Sequence, residues 1–86
     1  MKTIYKYTVT GLPLQNKIEM PMGATILSVN MQGADFCMWA LVDTNAETEE
    51  REFEIVGTGW ALVDYMSYVG TCFAEDGYAW HIMEVV

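Results

Sequence analysis

Residues 26–42 read ILSVNMQGADFCMWALV, and the period of this stretch decides the fold. In its first half the apolar Leu27, Val29 and Met31 alternate with Ser28, Asn30 and Gln32. A period of two is the pleat of a β-strand with one face turned to a core. QGAD then supplies Gly33, suited to the left-handed position of a hairpin connection of about three residues. FCMWALV follows, apolar on both faces, and its shortness after a hairpin predicts a central strand covered on both sides.

Outward from this hairpin the same period persists. MKTIYKYTV sets Thr3, Tyr5, Tyr7 and Val9 on one face and Ile4, Lys6 and Thr8 on the other. Gly11 and Pro13 break that strand. KIEM (17–20) brings Ile18 and Met20 together, and PMGA (21–24) reads as a turn with Pro21 at its first corner and Gly23 at a positive φ. DTNAETEE (43–50) has the polar, acidic composition of a solvated loop, while REFEIVG (51–57) turns Phe53 and Ile55 inward and Glu52 and Glu54 outward. In ALVDYMSYV (61–69), Ala61, Leu62, Tyr65 and Met66 recur at helical spacing, predicting one or two helical turns. YVGTCFA and YAWHIMEVV flank Asp76-Gly77, a strong hairpin signal. The expectation is a single domain over 1–86: mainly β, a small antiparallel sandwich or barrel of six to seven short strands with at most one short helix.

Composition bounds what such a domain does. The chain has 86 residues, 52% of them apolar, with three Trp, five Tyr, three Phe and seven Met. A body this small buries only about 60–65% of its unfolded surface. So large an apolar load therefore predicts an exposed patch or a shared interface, and hence a homo-oligomer. Twelve acidic residues against four basic ones give a net charge of −8, which repels phosphate backbones and argues against direct nucleic-acid binding. The longest uninterrupted apolar run, Phe36 to Val42, is far too short for a membrane helix. Cys37 and Cys72 sit in apolar runs without CxxC spacing and read as buried free thiols of a cytosolic protein.

The set MKTIYKY, MPMGATILSVNMQ, CMWALVD, EFEIVGTGW, YVGTCF and WHIMEV, in that order, looks like a family of short, functionally uncharacterised proteins encoded by tailed bacteriophages. The likeness spans nearly the whole chain and is densest from P-x-G-A to W-A-L-V-D. It implies a phage origin, an accessory role in the cytoplasm of the infected bacterial host, and no established catalytic residues. In that family the position of Trp60 is often His, which weakens a role resting on the indole.

Catalytic chemistry finds little footing. The single histidine, His81, lies in an apolar strand and reads as a hydrogen-bonded structural residue; catalysis needs a nucleophile and an orienting carboxylate beside it. Cys72, on the neighbouring arm of the last hairpin, is the one candidate partner, and apolar surroundings keep a thiol inert. One His and two separated Cys lack zinc spacing, and Glu47, Glu49 and Glu50 lack the central glycine of a calcium loop. The sequence thus predicts no catalytic residue, no metal and no cofactor.

Binding remains. Gly57, Thr58 and Gly59 free the backbone beside Trp60 to aim N–H groups at an anion, although GTG is neither a Walker nor a dinucleotide motif and as a plain turn needs no further explanation. Arg51 supplies a cation, and Trp39 and Tyr65 supply flat rings; Trp60, Tyr68, Tyr78 and Trp80 add to that aromatic supply. The resulting expectation is an oligomeric module that sequesters a small nucleotide-like immune signal through Arg51, Gly57, Thr58, Gly59, Trp60, Tyr65 and Trp39. Two alternatives stand beside it: an acidic inhibitor that mimics nucleic acid on a host defence protein, and a minor virion assembly factor.

Overall fold

A computed structural model describes residues 1–10 and 15–86. Seven strands run in the order β1 (Lys2–Val9), β2 (Gln15–Pro21), β3 (Thr25–Gln32), β4 (Asp35–Asp43), β5 (Thr48–Gly57), β6 (Met66–Phe73) and β7 (Ala79–Val85). They form a three-stranded sheet, β1-β4-β3, and a four-stranded sheet, β2-β5-β7-β6, antiparallel throughout. The two sheets stack as a sandwich whose shortest dimension is 19 Å, the thickness of two β layers. Among the described residues there is no helix. The strand break expected at Gly11 and Pro13 lies outside the described residues.

The alternation read from sequence is what builds the core. Val9, Met20, Met38, Ala40, Val42, Phe53, Ile55, Cys72 and Ile82 are buried between the sheets. Each comes from the inward set of its strand, so burial on one face holds the register of the whole sandwich. Turn chemistry sets the strand ends. Gly33, at φ 59°, opens a two-residue Gly33-Ala34 loop between β3 and β4, one residue tighter than expected and with glycine at the first central position. Gly23, at φ 77°, is the third residue of the turn in which the Ala24 N–H donates to the Pro21 carbonyl at 3.1 Å. Pro21 is the last residue of β2 and precedes the corner rather than forming it.

Four expectations change. Leu27 points outward, half exposed at 50%, because β3 shifts register between Ile26 and Ser28. The extra residue reverses the parity, so Ile26 packs against the core in its place. β4 is central in its sheet, but only one face of it, with Phe36, Met38, Ala40 and Val42, packs against the core between the sheets. Its outer face holds Trp39 beside the exposed Ile4, Leu27 and Leu41, open to solvent in the single chain. The acidic loop is shorter than its composition implied, since Thr48 to Glu50 already pair with Pro21 to Glu19 in the β5–β2 ladder. No helical turn forms after β5. Residues 58–65 hold two tight turns, with the Trp60 N–H donating to the Gly57 carbonyl at 3.1 Å and the Met66 N–H to the Val63 carbonyl at 3.2 Å. The two turns take up nearly the whole segment and leave no run of residues for a helical turn.

The edge strands β3 and β6 meet where the two sheets approach most closely. β6 carries its own irregularity between Tyr68 and Gly70, and a Cβ placed on Gly70 comes within van der Waals overlap of the Val29 side chain. The missing side chain at residue 70 is what admits Val29.

Candidate functional site

The Gly57–Trp60 turn lies at the end of β5, and Gly59, at φ 89°, occupies its third position. A turn of this form needs φ > 0 there, which explains the second glycine. The first has a different cause. A Cβ on Gly57 lies 2.8 Å from Cε2 and Nε1 of Trp60, so the indole folds back onto bare backbone. It also meets Trp80 edge to face, with centroids 5.7 Å apart and planes at 86°. Trp60 thus stands as a fixed wall, 52% exposed, with a cleft on each side.

The first cleft, about 320 Å³, lies on the outer face of the four-stranded sheet. Val56 and Met83 form its floor; strand parity turns both outward, yet they are only 6% and 5% exposed. Trp60 and Leu62, from the segment after β5, wall one side, and Tyr68 the other. A chain of polar groups crosses it. The Thr58 hydroxyl lies 2.8 Å from His81 Nε2 and 3.2 Å from the Ala79 carbonyl. His81 Nδ1 lies 2.9 Å from Thr71 Oγ1, which lies 2.6 Å from the Tyr68 hydroxyl. Register explains the row, for Thr71 stands directly opposite His81 and Tyr68 directly opposite Met83.

Such a chain of hydroxyls and imidazole accepts and donates hydrogen bonds but holds no strong nucleophile. Cys72 is the nearest thiol along β6, and it pairs with Trp80 and faces the core, so adjacency in sequence places it on the opposite face from His81. Burial, and secondarily Cys37, pushes its thiol pKa up, which disfavours the reactive thiolate. Among the described residues no three His, Cys, Asp or Glu side chains are grouped to hold a metal ion.

The structure brings together Gly57, Thr58, Gly59 and Trp60 of the expected site. As an anion cradle the loop is largely occupied: the Thr58 hydroxyl is bound to the His81–Ala79 pair, and the Trp60 N–H closes the turn. Tyr65 sits in the second turn, exposed, with its carbonyl taking the Val86 N–H at 2.7 Å. Trp39 lies on the outer face of the other sheet. Arg51 stands at the far end of β5, six residues and about 20 Å of strand from Gly57. Its guanidinium is bound to Glu84 at 2.7 and 2.8 Å and to the Ala24 carbonyl at 2.6 Å. Arg51 therefore closes the end of the core, and one chain does not assemble it with the loop. Leu62, Met83 and Thr71 were absent from the expected site, while His81 was read as structural and Tyr68 only as part of the aromatic supply. Only the pairing register shows the row His81–Thr71–Tyr68: Thr71 stands opposite His81, and the irregularity between Tyr68 and Gly70 brings Tyr68 onto the same face.

If Gly57 exists to seat the indole, Gly57→Ala displaces Trp60 from Trp80. The expected result is loss of the near-ultraviolet circular dichroism of the coupled tryptophans, with thermal stability reduced by about 1 kcal/mol or less, since a ring 52% exposed has open solvent to swing into once the added methyl displaces it. An unchanged spectrum would mean the indole is not held by that contact.

The family described as a domain of unknown function (DUF7352) matches residues 1–86. The match covers the full length, and the chain belongs to this family. No curated protein and no solved structure matches it.

Proposed function

We propose that this DUF7352 protein is a non-enzymatic, phage-encoded counter-defence protein that sequesters a small nucleotide-like immune signal of the host, acting as a homo-oligomer in the infected cell's cytoplasm. The observation that carries the reading is the cleft beside Trp60. A nucleobase is flat and apolar on its faces and polar along its edge. The cleft offers an indole and Leu62 for the faces, with Thr58, His81 and Tyr68 hydroxyl and imidazole groups for the edge. Sequestration needs affinity without turnover, and no activated nucleophile lines this space. None of the chain's basic residues lines it either, so the ring system is the recognised part and any phosphate sits at the mouth, against an unfavourable field. Trp60, Leu62 and Tyr68 are exposed along that cleft, with Val63 and Tyr65 exposed in the adjoining segment after β5, apolar surface suited to burial by a second copy.

Native mass spectrometry of the protein purified from infected cells reads subunit number and retained ligand together. The expected result is an oligomer carrying a nucleotide-derived mass. Adding that compound at about 100 times its Kd should raise Tm by roughly 10 °C, and Trp60→Ala should abolish the rise. A monomer that no nucleotide stabilises would overturn the reading.

One observation favours the acidic-inhibitor alternative. Glu50, Glu52 and Glu54 project from the outer side of β5, and Glu19 stands directly opposite Glu50. Like charges paired across a ladder cost stability, and a basic surface on a host protein would offset that cost. Under this reading the purified monomer captures one host protein, and Glu19→Gln with Glu50→Gln releases it.

A further inference from the structure

The second cleft flanking Trp60 has a different chemistry. It measures about 400 Å³ and is lined by Trp60, Tyr78, Trp80 and Asp76 along with the Gly57–Thr58 and Ala79 backbone region. Trp60 and Trp80 stand nearly perpendicular, and Tyr78 inclines to Trp80 at 51° with centroids 6.3 Å apart. Three rings at mutual angles line one corner of the cleft. At its rim Asp76 Oδ1 accepts the Tyr78 N–H at 2.9 Å, which fixes the carboxylate beside the ring. No lysine or arginine lines the cleft.

We infer that this corner binds an alkylated ammonium group. Ring faces carry negative quadrupole potential and attract a cation within about 6 Å of their centroids. A methylated ammonium sheds its water readily enough to enter an apolar corner, while Asp76 supplies the opposite charge at the rim. A chain of net charge −8 draws cations toward it. Rigidity supports the assignment, because the Gly57 contact and the edge-to-face contact hold Trp60 in place without a ligand. The inference stands apart from the nucleotide reading: the two clefts share the Gly57–Trp60 turn, but Asp76 and Tyr78 belong to this one alone.

The test titrates the full-length protein with tetramethylammonium, with choline and with 3,3-dimethyl-1-butanol, the uncharged isostere of choline, following tryptophan fluorescence and calorimetry. Both cations are expected to bind saturably, and the isostere at least about tenfold more weakly. Asp76→Asn preserves an acceptor for the Tyr78 N–H, and Tyr78→Leu preserves apolar bulk at a residue 66% exposed. Each should weaken choline binding about fivefold with Tm unchanged. Equal affinity for choline and its isostere would overturn the inference, as would the absence of saturation or wild-type binding by both variants. A peptide bearing trimethyl-lysine distinguishes the source: tighter binding than choline marks a protein side chain, and weaker binding a free small amine.

Discussion

Gly70→Ala lowers the melting temperature by about 10–20 °C, a loss of roughly 2–3 kcal/mol. The added methyl would stand in hard overlap with Cγ2 of Val29, with Cβ and Cγ1 both at 3.4 Å behind it. Valine is stiff at χ1, so rotating one methyl away brings the other in. The clash cannot be relieved by a flexible side-chain end, as it can at Gly57. It has to move β3 against β6, at the edge where both strands are already irregular. Urea and thermal denaturation of the single variants and of the Val29→Ala, Gly70→Ala double variant test the mechanism. Val29→Ala alone is destabilising because it empties part of the core margin. In the double variant it should recover much of the Gly70→Ala loss, giving a coupling of about 1–2 kcal/mol. Strictly additive effects would mean that the two residues do not meet.

That contact also explains why some features were legible in the sequence and others were not. Phe53 and Ile55, Ile18 and Met20, and the glycines at 23, 33 and 77 act locally: parity and turn geometry follow from a few neighbouring residues, and the fold follows from them. Leu27 shows where local reading stops. ILSVNMQ alternates perfectly as text, yet the strand bulges there, at the edge that meets a glycine more than forty residues later. Trp39 was readable as part of a two-sided apolar strand, but sequence does not say whether its outer face meets a second layer or solvent. The Gly57–Trp60 turn was visible as a motif. Its partners His81, Thr71 and Tyr68 come from a hairpin beyond it, and only the pairing register assembles them. The helical spacing of Ala61, Leu62, Tyr65 and Met66 was real but arose from residues walling a cleft and from the start of a strand.

Arg51 is the clearest case of a residue whose role is set at a distance, and removing it should be as costly as crowding Gly70. Between acidic neighbours on β5 it reads as a free cation available to a ligand. In the fold it reaches Glu84, 33 residues away, through two hydrogen bonds, and the Ala24 carbonyl through a third. Arginine and glutamate side chains are only 17% and 19% exposed, and the guanidinium covers the Phe53 ring at 5.9 Å. The Glu84 hydrogen bond raises the Arg51 pKa, with burial opposing it. A raised arginine pKa gives stability that is complete below the ordinary arginine range and is lost only as pH rises past it. Arg51 therefore keeps its charge at every pH where the fold itself survives. Arg51→Ala strands a half-buried carboxylate and an acceptor and uncovers Phe53, and about 3 kcal/mol of stability should go with it, near the lower end for a broken buried pair. Arg51→Met with Glu84→Met removes both charges and keeps the apolar stems, and should return close to wild-type stability. Equilibrium unfolding of the three proteins decides the matter. If Arg51→Ala unfolds like the wild type yet loses binding of a nucleotide-derived compound that the wild type binds, the arginine serves that binding rather than the sandwich. A destabilised single variant rescued by the double one assigns it to the fold, and any ligand of the cleft beside Trp60 would then have to be recognised without Arg51 of the same chain.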